Sequence, residues 1–167
     1  MSERRSASTA ARGPKLTALA ALVIVGGGWI VYSHAWRDGD AGPLPYRDVT
    51  SKLRGLRPAR GADRVFVAAQ QLAHYIRFAD PGYTRGLPQI DFHHDEALLV
   101  TTGPRSSTGY SIRTVSATEE RGRAVVTVRE QTPSPRTPGR PQLTYPYRLL
   151  VFHKLDKPVY IVWQGRP

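Results

Sequence analysis

Ala124-Val-Val-Thr-Val-Arg-Glu130 places Ala124, Val126 and Val128 on one side of an extended chain, with Val125, Thr127 and Arg129 on the other. Successive strand residues point to opposite faces, so this period of two marks a half-buried β-strand. Glu119-Glu-Arg-Gly122 supplies a turn before it, and Tyr110–Ala117 reads as the strand that enters that turn. Further upstream, Ala97–Thr102 is a compact apolar strand closed by Gly103-Pro104. Downstream, Gln131–Pro141 carries Pro133, Pro135, Pro138 and Pro141. Proline has no ladder donor, so this stretch is expected to be a loop. Tyr147–His153 and Val159–Trp163 are two more strands, with Leu155-Asp-Lys-Pro158 expected as the hairpin turn between them.

Before residue 97 the period changes. Arg64–Val67 reads as a strand, and Ala68–Ala79 then puts Ala68, Leu72, Tyr75, Ile76 and Ala79 on one helical face. Asp80-Pro-Gly82 stops that helix. Asp48–Arg57 also aligns Val49, Leu53 and Leu56, but Gly55 and Pro58 keep any helix there short. Arg37–Pro45 is rich in Gly, Asp and Pro and reads as linker. The expected fold is mainly β, of α+β character: an antiparallel sheet or immunoglobulin-like sandwich with a short N-terminal amphipathic helix. The expected division is a tail at 1–15, an apolar segment at 16–36, a linker at 37–63 and a β-rich domain at 64–167.

Leu16–Tyr32 contains no charge. A bilayer core takes about 20 apolar residues, with a lower limit of about 17, while the apolar part of a signal peptide runs to about 7–15. Arg4, Arg5, Arg12 and Lys15 precede the run, whereas Arg37 is offset by Asp38 and Asp40. The positive-inside rule then leaves residues 1–15 in the cytoplasm and exports the rest. Trp29, Tyr32 and Trp36 gather at the outer end, where amphipathic rings suit the interface. Ser33-His34-Ala35 also has the small residues of a signal-peptidase site. Residues 16–36 are therefore expected to act as a signal anchor or, with cleavage near Ala35, as a signal peptide that releases a secreted domain.

The chain has no cysteine, which excludes disulfides, thiol catalysis, thiolate metal sites and an N-terminal lipid-bearing cysteine. Its net charge of +11 favours acidic partners such as anionic lipid or wall polymer. No block of Lys and Arg with interleaved aromatics appears, so nucleic acid is not an expected partner.

Three segments occur in order. Ile90-Asp-Phe92 precedes the Leu98-Leu-Val100 strand and Gly103. Ser107-Thr-Gly-Tyr-Ser-Ile112 follows. Val126-Thr-Val128 with Glu130 leads through the proline loop to Leu143-Thr-Tyr-Pro-Tyr147 and Leu149-Leu-Val151. Together, across residues 64–155, they resemble the PrcB C-terminal domain family, named from a non-proteolytic subunit of a bacterial surface protease complex. The resemblance implies a small exported domain that binds and stabilises a partner protease. It departs from the family in lacking a lipobox cysteine, which shifts anchoring to Leu16–Tyr32. It also has Thr108-Gly109 where members often carry two glycines. Ser106-Ser-Thr-Gly-Tyr110 is similar to the recognition loop of chagasin-like cysteine-protease inhibitors, without that loop's Asn-Pro.

Two loops, Gly103–Tyr110 and Gln131–Pro146, are the candidate recognition elements. Glycine takes positive φ at no steric cost, so Gly109 permits a sharp turn after Thr108. Tyr110 offers a rigid contact surface with a polar tip. The plainer alternative is that Gly109 closes a hairpin and Tyr110 covers the core edge. In Tyr145-Pro146-Tyr147 the proline can rigidify strand entry while one tyrosine packs inward. Thr108, Gly109, Tyr110, Tyr145, Pro146 and Tyr147 are the candidate partner-binding residues.

Catalysis is not expected. Asp91, His93 and Asp95 would share one face if extended and could then hold a divalent ion, but the segment follows Pro88 and reads as a solvated turn. Ser106 or Ser107 with His153 lacks a Gly-x-Ser-x-Gly elbow. No cofactor is implied. The expected function is that of an exported, membrane-anchored protein-binding domain acting on a protease, with direct protease inhibition or envelope binding by the basic domain as alternatives.

Overall fold

The computed structural model describes residues 42–165 apart from 121 and 156, and the backbone of Ile24–Val25 and Gly28–Trp29, a two-residue antiparallel pair. The membrane or signal helix expected at 16–36 otherwise lies outside the described residues. Among the described residues, no helix is long and apolar enough to cross a membrane.

The strands in chain order are β1 (Gly42–Pro43), β2 (Tyr46–Asp48), β3 (Gly61–Phe66), β4 (Asp95–Thr102), β5 (Arg105–Ser107), β6 (Ser111–Glu120), β7 (Arg123–Gln131), β8 (Pro141–Thr144), β9 (Tyr147–His153) and β10 (Val159–Trp163). One helix, α1, spans Ala69–Ala79, and a 3-10 turn covers Thr50–Lys52. A first sheet has the order β2-β9-β4-β3 and is antiparallel throughout. A second has the order β10-β7-β6-β1. β5 and β8 form a separate antiparallel ribbon.

The β4–β9 pair explains the layering. Its register sets Leu98 opposite Leu150 and Leu99 opposite Leu149. By alternation, Leu98, Val100, Leu150 and Phe152 face one way, and Ala97, Leu99, Leu149 and Val151 the other. The first set packs with Ile112, Ala117, Ala124, Val126 and Val128 of β6 and β7, closing a two-sheet core. The second packs with Leu72 and Ile76 of α1, Phe66 of β3, and Leu53 and Leu56. Both faces of β4 and β9 are thus covered, which is why each reads as an unbroken apolar run.

The helix forms where its apolar face requires it. Leu72 and Ile76 are buried one turn apart, and Phe66 meets Tyr75 at 5.5 Å between ring centroids. Ala68 gives no side-chain cap, but Gln71 in the first turn accepts the Val67 N–H at 3.1 Å. At the other end the Asp80 N–H donates to the Ile76 carbonyl at 2.9 Å.

Two expectations are corrected here. Residues 37–63 were expected to be linker, yet from residue 42 onward they form β1, β2 and the start of β3 and bury Leu44, Leu53 and Leu56. The expected hairpin between β9 and β10 does not form. β9 already has β2 on one edge and β4 on the other, so it has no edge left for β10. The chain instead crosses to the second sheet, where β10 runs parallel to β7 with Ile161 beside Val126. Pro158, which has no N–H, accepts the Ala124 N–H at 3.0 Å as the strand begins. The fold is therefore mainly β, with one mixed sheet and one short helix, rather than antiparallel throughout.

Leu99→Ala on the helix side and Leu150→Ala on the sandwich side should each lower unfolding stability by about 3 kcal/mol. Val162→Ala, on a side chain 47% exposed, should change it by less than about 0.5 kcal/mol. Denaturant midpoints at constant slope would check all three.

Candidate functional site

The two loops singled out in the sequence are joined. Ser107 of β5 pairs with Pro141 of β8, and Arg105 pairs with Thr144. The Thr108 N–H donates to the Arg140 carbonyl at 3.0 Å, while the Arg140 N–H donates to Thr108 Oγ1 at 2.9 Å. The Thr144 hydroxyl donates to the Ser107 carbonyl at 2.8 Å. The proline loop therefore folds back as one side of a short ribbon whose other side ends in Thr108-Gly109-Tyr110.

Glycine is required at two points of this contact. Gly109 has φ of +91°, and a Cβ there would lie 3.2 Å from Pro133 Cγ. Gly139 approaches so closely that a Cβ would sit 2.0 Å from the Thr108 carbonyl oxygen. The first glycine supplies a turn that other residues rarely adopt, and the second lets two backbones touch.

Arg105 braces the ribbon against the second sheet. Its Nε and Nη2 donate to the two carboxylate oxygens of Glu130 at 2.5 and 2.8 Å. Its Nη1 donates to the carbonyls of Thr102 and Pro104 at 3.2 and 3.1 Å. The guanidinium also lies 5.9 Å from the Tyr110 ring centroid, within cation–π range. The hydrogen bond to Glu130 raises the Arg105 pKa above its already high ordinary value, so the brace stays charged across physiological pH. Tyr110 is half-buried against this group, and Leu143 on β8 is 59% exposed. A rigid aromatic and an exposed leucine on two bonded loops can hold a contact surface in place.

The six nominated residues do not form one surface. Thr108, Gly109 and Tyr110 meet the proline loop as described. Tyr145 is half-buried at the end of β8, and Pro146 is buried, with its carbonyl accepting the Thr102 N–H at 3.3 Å. Tyr147 packs on the helix side of the first sheet and its hydroxyl donates to the Leu53 carbonyl. Desolvation by this packing raises its pKa above the ordinary tyrosine value. Pro146 and Tyr147 are built into the scaffold. Arg105, Glu130, Gly139 and Leu143 belong with the loop, and reading single segments could not find them because the brace spans positions 105 and 130.

Asp91, His93 and Asp95 do not share an extended face. Residues 92–94 form a turn, in which Asp91 accepts the His93 N–H at 3.0 Å and contacts His94 Nδ1 at 2.8 Å. These contacts hold the Asp91 carboxyl below its usual pKa, with the His94 bond the larger cause. Asp95 accepts from Arg47 at 2.5 Å. No group of metal-competent side chains gathers among the described residues.

The family model described as PrcB C-terminal matches residues 97–153, inside the stretch on which the resemblance rests. The matched interval runs from β4 to the end of β9 and contains both loops. No curated protein and no solved structure matches the chain.

Gly139→Ala should part the two loops. The expected result is loss of hydrogen-exchange protection at the Thr108 and Arg140 amides and a stability loss of about 1–3 kcal/mol. Unchanged protection at both amides would show that the loops are not held by this contact.

Proposed function

We propose that this chain is an exported, membrane-anchored, non-catalytic domain that binds a partner protease through the Thr108–Tyr110 loop and the adjoining ribbon. The observation that carries this reading is the braced loop pair itself, lying within the interval that matches the PrcB C-terminal family. Arg105 and Glu130 hold the ribbon, Gly109 and Gly139 set its shape, and Tyr110 with Leu143 supply contact area. Preorganisation of this kind lowers the ordering cost of binding. The uncharged run Leu16–Tyr32, behind four basic residues, supports the anchor, and Ser33-His34-Ala35 supports release by cleavage as the alternative.

The test is crosslinking of the full chain in its native membrane, followed by detergent extraction and mass spectrometry. Recovery of a protease supports the reading, and its consistent absence sinks it. With the partner in hand, Tyr110→Ala should weaken binding roughly tenfold or more while leaving the unfolding midpoint nearly unchanged. Tyr147→Phe should do the reverse, costing about 1 kcal/mol of stability with binding intact. The lifetime of the protease with and without this chain distinguishes stabilisation from inhibition.

A further inference from the structure

The helix-side layer has an unusual charge pattern. Between Val49 and Ile90 the cations are Lys52, Arg54, Arg57, Arg60, Arg64, Arg77 and Arg85, against only Asp63 and Asp80. All seven cationic residues are exposed, and no ion pair among the described residues includes any of them. The two carboxylates accept other hydrogen bonds: Asp63 from the Trp163 indole N–H at 2.8 Å, and Asp80, at the end of α1, from the Arg57 backbone N–H at 2.8 Å. Across the rest of the described domain Arg113, Arg129, Arg136, Arg140 and Lys154 likewise form no ion pair among the described residues, but the other five basic residues do. Arg47, Arg105, Arg123, Arg148 and Lys157 each meet an aspartate or glutamate.

The contacts of the fold gather this charge at the C-terminal end of α1. The Ala59 N–H donates to the Ala79 carbonyl at 3.2 Å, and Arg57 is tied to Asp80. The Arg85 guanidinium lies 3.6 Å from where a Gly55 Cβ would stand. Arg54, Arg57, Arg77 and Arg85 therefore stand on segments that meet at one helix end, with the Arg54 and Arg77 Nε atoms donating to the Ser51 and Ala73 carbonyls, and Phe78, 78% exposed, lies in the last turn of that helix. Cations around an exposed aromatic match an interface with anionic headgroups, where arginine meets phosphate and the ring enters the acyl boundary.

We propose that this face docks on anionic phospholipid. Two observations choose the bilayer among polyanions. Phe78 suits a surface with an apolar layer behind its charge, which a soluble polymer lacks. The chain also supplies proximity: residues 33–41 separate the apolar run from β1, a stretch that reaches at most about 30 Å. In this respect the inference rests on the anchor proposed above. The tethered domain lies against its membrane by the α1 end, which leaves the outer face of the second sheet turned away.

The chain has no cysteine, so one can be placed for labelling. Thr84→Cys, beside Arg85 in the chain, and Ser116→Cys, on the outer face of the second sheet, are both exposed positions. Full-length protein carrying an environment-sensitive dye at either site is reconstituted in phosphatidylcholine vesicles, with and without phosphatidylglycerol, that contain a lipid-borne quencher. Quenching at Thr84→Cys should appear with phosphatidylglycerol, fall with salt and exceed that at Ser116→Cys. Each of Arg57→Gln, Arg77→Gln and Arg85→Gln should weaken it about fivefold. Equal quenching with and without phosphatidylglycerol, or equal quenching at both sites, overturns the proposal. A dye that responds to soluble polyphosphate but not to phosphatidylglycerol also overturns it, assigning the face to a polymer. Failure of the anchor reads differently, because the whole protein then leaves the vesicles in high salt. If the anchor holds and only this proposal fails, the protein stays with the vesicles and Thr84→Cys remains unquenched.

Discussion

The antiparallel pairing of β4 with β9 is the constraint on which the rest depends. Its residues between Ala97 and Thr102 are buried, so their backbone groups must find protein partners, and the strands on either side supply most of them. Two apolar faces also need two coverings. The second sheet covers one, and α1 with Leu53 and Leu56 covers the other. Residues 42–63 cannot then be a spacer, because removing them would expose Leu99 and Leu149 to water at about 25 cal/mol per Å² of apolar surface.

The same constraint separates what could be read in the sequence from what could not. Tyr147–His153 and Val159–Trp163 were legible to the residue, because apolar content and turn residues bound them on both sides. Their pairing was not legible. A short Leu-Asp-Lys-Pro connection favours a hairpin locally, but edge availability decides, and β9 had none to offer. The ribbon of β5 and β8 was missed for a different reason. Neither strand contributes to a core, so neither carries a period. Ser107, Thr108 and Thr144 hold it through hydrogen bonds made across the chain.

The candidate site was half legible for a related reason. Gly109 announces itself, since a glycine between polar residues at a strand entry invites positive φ, and φ is +91°. Gly139 does not, because its role depends on the Thr108 carbonyl far away in sequence. Tyr145, Pro146 and Tyr147 looked alike as contacts, yet only Tyr147 lies within β9. Tyr147 has the parity of Leu149 and Val151 and therefore faces the helix layer. A period-two count begun at Leu149 would have reached that answer, had the second covering layer been recognised.

Pairing a surface arginine with a carboxylate contributes little stability, with a median of about 0–1 kcal/mol, so folding alone sets no strong preference for where pairs fall. Around the sandwich, carboxylates stand within reach of the cations, as Glu130 does for Arg105 and Asp48 for Arg148. Around the end of α1 the one carboxylate, Asp80, accepts the Arg57 backbone N–H and forms no ion pair among the described residues. Crowding unpaired arginines at one helix end incurs mutual repulsion, which the negative end of the helix dipole offsets only in part. What such a face gains is readiness: an arginine without a carboxylate gives up no ion pair when a phosphate arrives. The loop ribbon and the basic face are thus built on opposite principles. The first spends its charges internally to fix a shape, and the second gives its arginines backbone carbonyls rather than carboxylates, as at Arg54 and Arg77. A domain that carries both can hold one partner while resting on another surface.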